Sequence, residues 1–202
     1  MNENITIKLI QDFLTEEYSD SFVDDQTSRR MWWCALEVIQ KDFLLSHYQE
    51  GGVWAASPLP AINEKKYLNK FKGWLWAPKG FPDFKNEYAG YLPVKSEKYE
   101  DERAQYFNHY KILSINEEDG FEPFLMIISP TFQCVLSIAG AKDKKNLIMR
   151  SDEKSIKKVI ELVNIKLMQE DQEEASKFVD SIRSLGKLQI NESFVRNFWP
   201  AL

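Results

Sequence analysis

Residues 124–168 constrain this chain more than any other stretch. They read FLMIIS, PTF, QCVLSIAG, AKDKK, NLIMR and then the long run SDEKSIKKVIELVNIKLM. Three short apolar segments rich in β-branched residues, separated by turn chemistry and followed by one helical periodicity, predict a ββ(β)α unit. Ile156, Val159, Ile160, Val163 and Leu167 form a stripe on that helix that only packing against a sheet can satisfy. Ser151 stands at its N-cap, with Asp152 and Glu153 in the first turn. The rest of the chain has to cover that sheet.

The rest of the 202-residue sequence is read outward from this unit. Residues 5–18 carry Ile7, Ile10, Phe13, Leu14 and Tyr18 near helical spacing. Asp24 and Asp25 stand before a second helical run in which Trp32, Leu36, Ile39 and Phe43 recur on one side, with a natural stop at Gly51 and Gly52. Residues 53–57 predict a strand, and Pro58 and Pro60 imply that it leaves the sheet quickly. Asn63 predicts a cap for a brief helix ending near Gly73. Residues 73–91 place six aromatics among prolines and glycines, which predicts a packed loop excursion. A charged helix over 96–108 and a strand over 109–115 lead into the central unit. After it, Ala175, Phe178, Val179 and Ile182 start another stripe, and Asn191 caps a short helix carrying Phe194, Phe198 and Trp199. The expected class is α/β (α+β): a central, mostly antiparallel sheet flanked by helices.

A formal charge of −5 argues against nucleic acid, since neutralising phosphates requires a cationic face. The lysines between 142 and 158 alternate with Asp143, Asp152 and Glu153 and read as a solvated turn and helix face. Cys34 and Cys134 lie far apart in apolar runs and behave as small hydrophobes, with no metal-ligand spacing. No segment has the apolar length of a membrane span, and the N-terminus lacks a signal-peptide pattern, so the expected compartment is the cytoplasm.

Catalytic motifs are missing. There is no GxGxxG, no GxxxxGK[ST] and no GxSxG, and His47 and His109 share no metal spacing. The carboxylates at 117–119 and 170–174 read as exposed turns, without the apolar surroundings that split a catalytic pair. The aromatics Trp54, Trp74, Trp76, Phe81 and Tyr91 are the candidate ligand-binding residues, able to line a pocket for a planar molecule or else to form a satellite core. No cofactor is required, although a bound chromophore or small ligand fits this reading.

The segment FLMIISPTFQCVLSIAG followed by SDEKSIKKVIELVNIKL resembles the closing strands and last helix of GAF-like and DICT-like sensory domains. A wider likeness joins MWWCALEVIQKDFLLSHY, GGVWAASPLPAI and NESFVRNFWPAL, which together resemble the input region of cyanobacterial sensor histidine kinases. The resemblance implies a GAF/DICT-like sensory fold over 1–186 and a helical segment over 187–202 leading to an output module. It implies a non-catalytic input domain of a two-component system, because no phosphoacceptor or ATP-binding motif has a matching position.

Two other readings stay open. The chain could be an assembly factor docking through Phe194, Phe198 and Trp199, or a small enzyme acting on a tetrapyrrole-like substrate with Asp83, Glu87 or His109. Self-association follows if the stripes over 152–168 and 172–185 exceed what one sheet face needs.

Overall fold

Strand β1 (Gly52–Ser57) is buried along its whole length and is hydrogen-bonded on both edges. That placement organises the computed structural model, which describes residues 4–16, 23–45, 50–59, 61–62, 69–79, 110–141, 144–189 and 191–202. Strands β2 (Phe71–Ala77) and β3 (Tyr110–Ser114) extend the sheet to one side of β1 in parallel. Strands β4 (Phe124–Ile128), β5 (Gln133–Ala141) and β6 (Lys144–Arg150) extend it to the other side, antiparallel throughout. The order is β3-β2-β1-β4-β5-β6, a six-stranded mixed sheet in an α+β fold.

Helices cover both faces. Helix α2 (Asp25–Val38) continues into a π-helical segment, Ile39–Leu44. Together with α5 (Glu192–Ala201) it covers the face formed by Trp54, Leu75, Ile127, Leu136 and Met149. Helices α1 (Ile7–Thr15), α3 (Glu153–Glu170) and α4 (Gln172–Ser184) cover the opposite face, formed by Val53, Trp74, Trp76, Met126 and Ile148. Alternation along each strand sends neighbouring residues to different faces, so both sides of every central strand are apolar and the strands read as near-continuous hydrophobic runs.

The ββ(β)α unit forms as expected, with Asp152 rather than Ser151 as the N-cap: its carboxylate accepts from the Ser155 N–H at 2.8 Å. Two expectations are corrected. Strand β1 does not leave the sheet but forms its middle, because Pro58 lies one residue beyond the last paired position and removes no ladder bond. Residues 71–77, expected to end a brief helix near Gly73 and then to open a loop, form an inner strand held between β1 and β3. Gly73 in that strand is a packing requirement and not a breaker. A Cβ there would lie 2.3 Å from Cε2 of Trp54, whose indole lies over the backbone.

The stripes of α3 and α4 are both consumed by one sheet face within the chain. Val23 pairs by two 2.9 Å backbone hydrogen bonds with Lys145 and blunts the outer edge of β6. Cys134 is buried, as expected of a small hydrophobe, but Cys34 is exposed on α2. The helices expected over 63–73 and 96–108, and His47 and His109, fall wholly or largely outside the described residues.

Helix α5 is part of the core. Phe194 and Phe198 are fully buried, and the Phe194 ring meets Phe43 edge-on at 4.6 Å and Phe132 at 4.8 Å. These two aromatics, expected as a docking surface, are therefore occupied, and only Trp199 of the three stays exposed, at 41%. Replacing Phe194 by Ala removes a buried ring from this cluster and is expected to destabilise the fold by about 3–5 kcal/mol, read from the denaturant midpoint.

Acid should act through the helix caps. Burial of Asp152 raises its pKa, but the Ser155 backbone and side-chain hydrogen bonds outweigh it and hold the carboxyl below its ordinary range. The Thr27 side chain and N–H do the same for Asp24, and the Glu174 N–H for Asp171. Because the folded values are depressed, this stabilisation is complete above the ordinary carboxylate range and is lost as pH falls through the folded values. Stability should decline below about pH 4, and less steeply in Asp152→Asn, as followed by urea denaturation across pH.

Candidate functional site

The reversal of direction at β1 makes a crevice. Strands β2 and β3 are added outward on one side of β1 and β4, β5 and β6 on the other, so the strand order reverses between β1 and β4, a topological switch point. Open sheets hold ligands beyond the carboxyl ends of their parallel strands at such points. A cavity of about 240 Å³ lies there, and Ser57 and Pro58 at the end of β1 form part of its floor. Pro78, just after β2, and Pro123, just before β4, close it from either side. Helix α2 forms a wall with Arg29, Trp32 and Trp33. Trp32 is buried, whereas Trp33 and Phe121, at 61% exposure, stand open at the mouth.

One charged group stands beside this space. Ser57 lines it at the end of β1, but its side chain is buried on the opposite sheet face, beside Phe124, where its hydroxyl has no hydrogen-bond partner among the described residues. Arg29 is held at the rim: its Nε–H donates to Asp25 at 2.9 Å, and its Nη2 lies 4.0 Å from Glu122. Glu122 in turn accepts from Lys145 at 2.6 Å. The alternating charges Asp25, Arg29, Glu122 and Lys145 run along the rim of the cavity. A second hollow, of about 410 Å³ between α1 and the β5–β6 hairpin, has the exposed Lys8–Asp12 pair at its rim and no aromatic wall.

The structure separates the residues expected to bind a planar ligand. Trp54 packs on the face of α2, 5.1 Å from Tyr110, while Trp74 and Trp76 lie on the opposite face. These three do not line one pocket, and Phe81 and Tyr91 lie outside the described residues, as do Asp83 and Glu87. Trp32, Trp33 and Arg29 were missed as site residues because a helical stripe of tryptophans reads as core. The signal present was Trp33 itself, a large aromatic directly after a core position and therefore pointing away from the stripe.

Trp74 and Trp76 belong instead to a buried ionic network. Their indole N–H groups donate to Glu174 at 3.0 Å and to Glu170 at 2.6 Å. Lys166, 2% exposed, donates to Glu170 at 2.9 Å and to Asp119 at 2.7 Å. Asp119 also accepts from the N–H groups of Ile7 and Asn116, both at 2.9 Å. The carboxylates at 117–119 and 170–174 are thus not all exposed turns, since Asp119 and Glu174 are buried. Glu174 and Glu170 anchor the two tryptophans and Asp119 holds Lys166, so fixed donors engage these carboxylates. Buried indoles require acceptors, and that requirement was the readable signal.

Burial pushes the Cys134 thiol up, so it stays protonated opposite Ile127 in the core. No group of three or more His, Cys, Asp or Glu among the described residues is arranged to hold a metal ion, and no described helix is long and apolar enough to cross a membrane.

Replacing Lys166 by Met leaves Asp119 charged and buried without its cation, and should cost about 3–5 kcal/mol. Adding Asp119→Asn should recover part of that loss, seen as a non-additive double-mutant cycle in chemical denaturation.

No curated protein and no solved structure matches the sequence. Residues 8–202 match the model of a domain of unknown function, DUF8628, and the chain belongs to that family.

Proposed function

We propose that the chain is a non-catalytic input domain that takes a small molecule in the cavity at the end of β1 and signals through its C-terminal helix. The observation that carries this reading is the cavity at the carboxyl end of β1, walled by Trp32 and Trp33 with Arg29 at its rim. Ligand sites join apolar and aromatic walls to a few polar groups, and this lining has that make-up. At about 240 Å³ the space lies below the roughly 300–1,000 Å³ of pockets for drug-sized ligands, so the occupant is compact and a tetrapyrrole does not fit.

The path outward runs along α2. Its first turns wall the cavity, and the π-helical segment that follows carries Phe43 against Phe194 of α5. Wide turns of this kind are frequent at functional sites. Val195 and Trp199, four residues apart on α5, are exposed and are the surface offered to an output module. The same pair supports a second reading, a stand-alone protein-binding factor, in which the cavity plays no part. In either role the two free thiols suit the reducing cytoplasm.

A thermal-shift screen of compact organic molecules tests the first reading. A ligand at a hundred times its dissociation constant contributes about 2.7 kcal/mol, which for a chain of this length raises Tm by roughly 5–10 °C. Such hits should vanish in Ala61→Phe, which fills the cavity wall. Hits that survive the filled cavity would place binding elsewhere and favour the second reading.

A further inference from the structure

We infer that the β1 cavity selects an uncharged, apolar molecule about one ring in size, held against Trp32 and Trp33 of α2. This rests on the ligand-binding reading above and adds the chemical class of the ligand.

The lining offers contact surface and almost nothing that would hold a charge. Among the described residues it is built from aliphatic side chains, three aromatic rings and three prolines, with Arg29 and Ser57 besides. Pro58, Pro78 and Pro123 carry no N–H, so at three places where the backbone borders the space it has no donor to give. The Pro123 carbonyl is already taken by the N–H of Ile138 at 3.0 Å. The Ser57 side chain lies on the other sheet face. Arg29 is engaged at the rim, where its Nε–H donates to Asp25 at 2.9 Å and its Nη2 lies 4.0 Å from Glu122. An anion would thus give up its water for a guanidinium that carboxylates already match, and a cation would face that guanidinium directly.

The other side-chain nitrogens in the lining are the indole N–H groups of Trp32 and Trp33, which donate and cannot accept. A ligand hydroxyl or amine therefore finds no side-chain acceptor among the described lining residues. Trp32 is buried inside and Trp33 and Phe121 stand at the mouth, so flat surfaces meet the ligand on its way in and at rest. About 240 Å³ admits a single ring with a short alkyl arm.

The test titrates the full chain, by calorimetry, with ethylbenzene, benzyl alcohol, benzoate and benzylammonium, which share one ring and nearly one size. Ethylbenzene should bind roughly 10–100-fold more tightly than benzyl alcohol, the range that burying a hydroxyl without a partner costs in proteins. Benzoate and benzylammonium should bind more weakly still. Ala61→Phe should abolish ethylbenzene binding, and so should Leu59→Trp, which fills the space from a half-buried position that tolerates a larger side chain. If any of the three polar probes matches ethylbenzene, the apolar class is overturned, and the cavity reading still stands provided the filled variants abolish binding of that probe. If ethylbenzene binds both filled variants as it binds the parent chain, its site is elsewhere and the proposal is overturned. If none of the four probes binds the folded chain, the proposal fails, and if the screen of compact molecules is also empty the ligand-binding reading fails with it.

Discussion

Everything in this fold depends on β1 being paired on both edges with partners that run in opposite senses. Parallel pairing with β2 and antiparallel pairing with β4 place six buried residues in the middle of the sheet, where each face needs its own cover. Helix α2 with α5 supplies one cover, and α1, α3 and α4 supply the other. The cavity lies at the carboxyl end of β1, between α2 and the segment leading into β4.

The two faces are secured differently. On the α2 face the cover is apolar, and the aromatic rings of Phe43, Phe132 and Phe194 interlock around the end of the π-helical segment. On the α3 face an ionic network passes through the core and fixes two tryptophans of β2 by their N–H groups. Breaking one member of such a network leaves a buried charge without compensation, whereas aromatic packing loses contacts gradually. The cavity opens on the α2 face, whose apolar contacts continue to α5 through Phe43 and Phe194.

Much of this was legible in the residues. The unit over 124–168 declared itself because its period changes from strand to helix across one short turn. The caps at Asp24 and Asn191 were readable from residue type alone. The strand over 71–77 was not, since Gly73 looks like a breaker until Trp54, 19 positions earlier, is seen lying across it. Phe194 and Phe198 looked surplus because their partners Phe43 and Phe132 are distant in the chain. The site was the least legible part. Its lining comes from α2, the ends of β1 and β2 and the segment before β4, which only the folded arrangement brings together.

The central claim is that the cavity at the end of β1 is a binding site and not merely a packing defect. A crystal structure of the chain soaked with a compact molecule that raises its Tm tests it most directly. The account predicts density for that molecule among Trp32, Trp33, Pro58 and Ala61. A cavity that stays empty, with the molecule bound elsewhere, would contradict it.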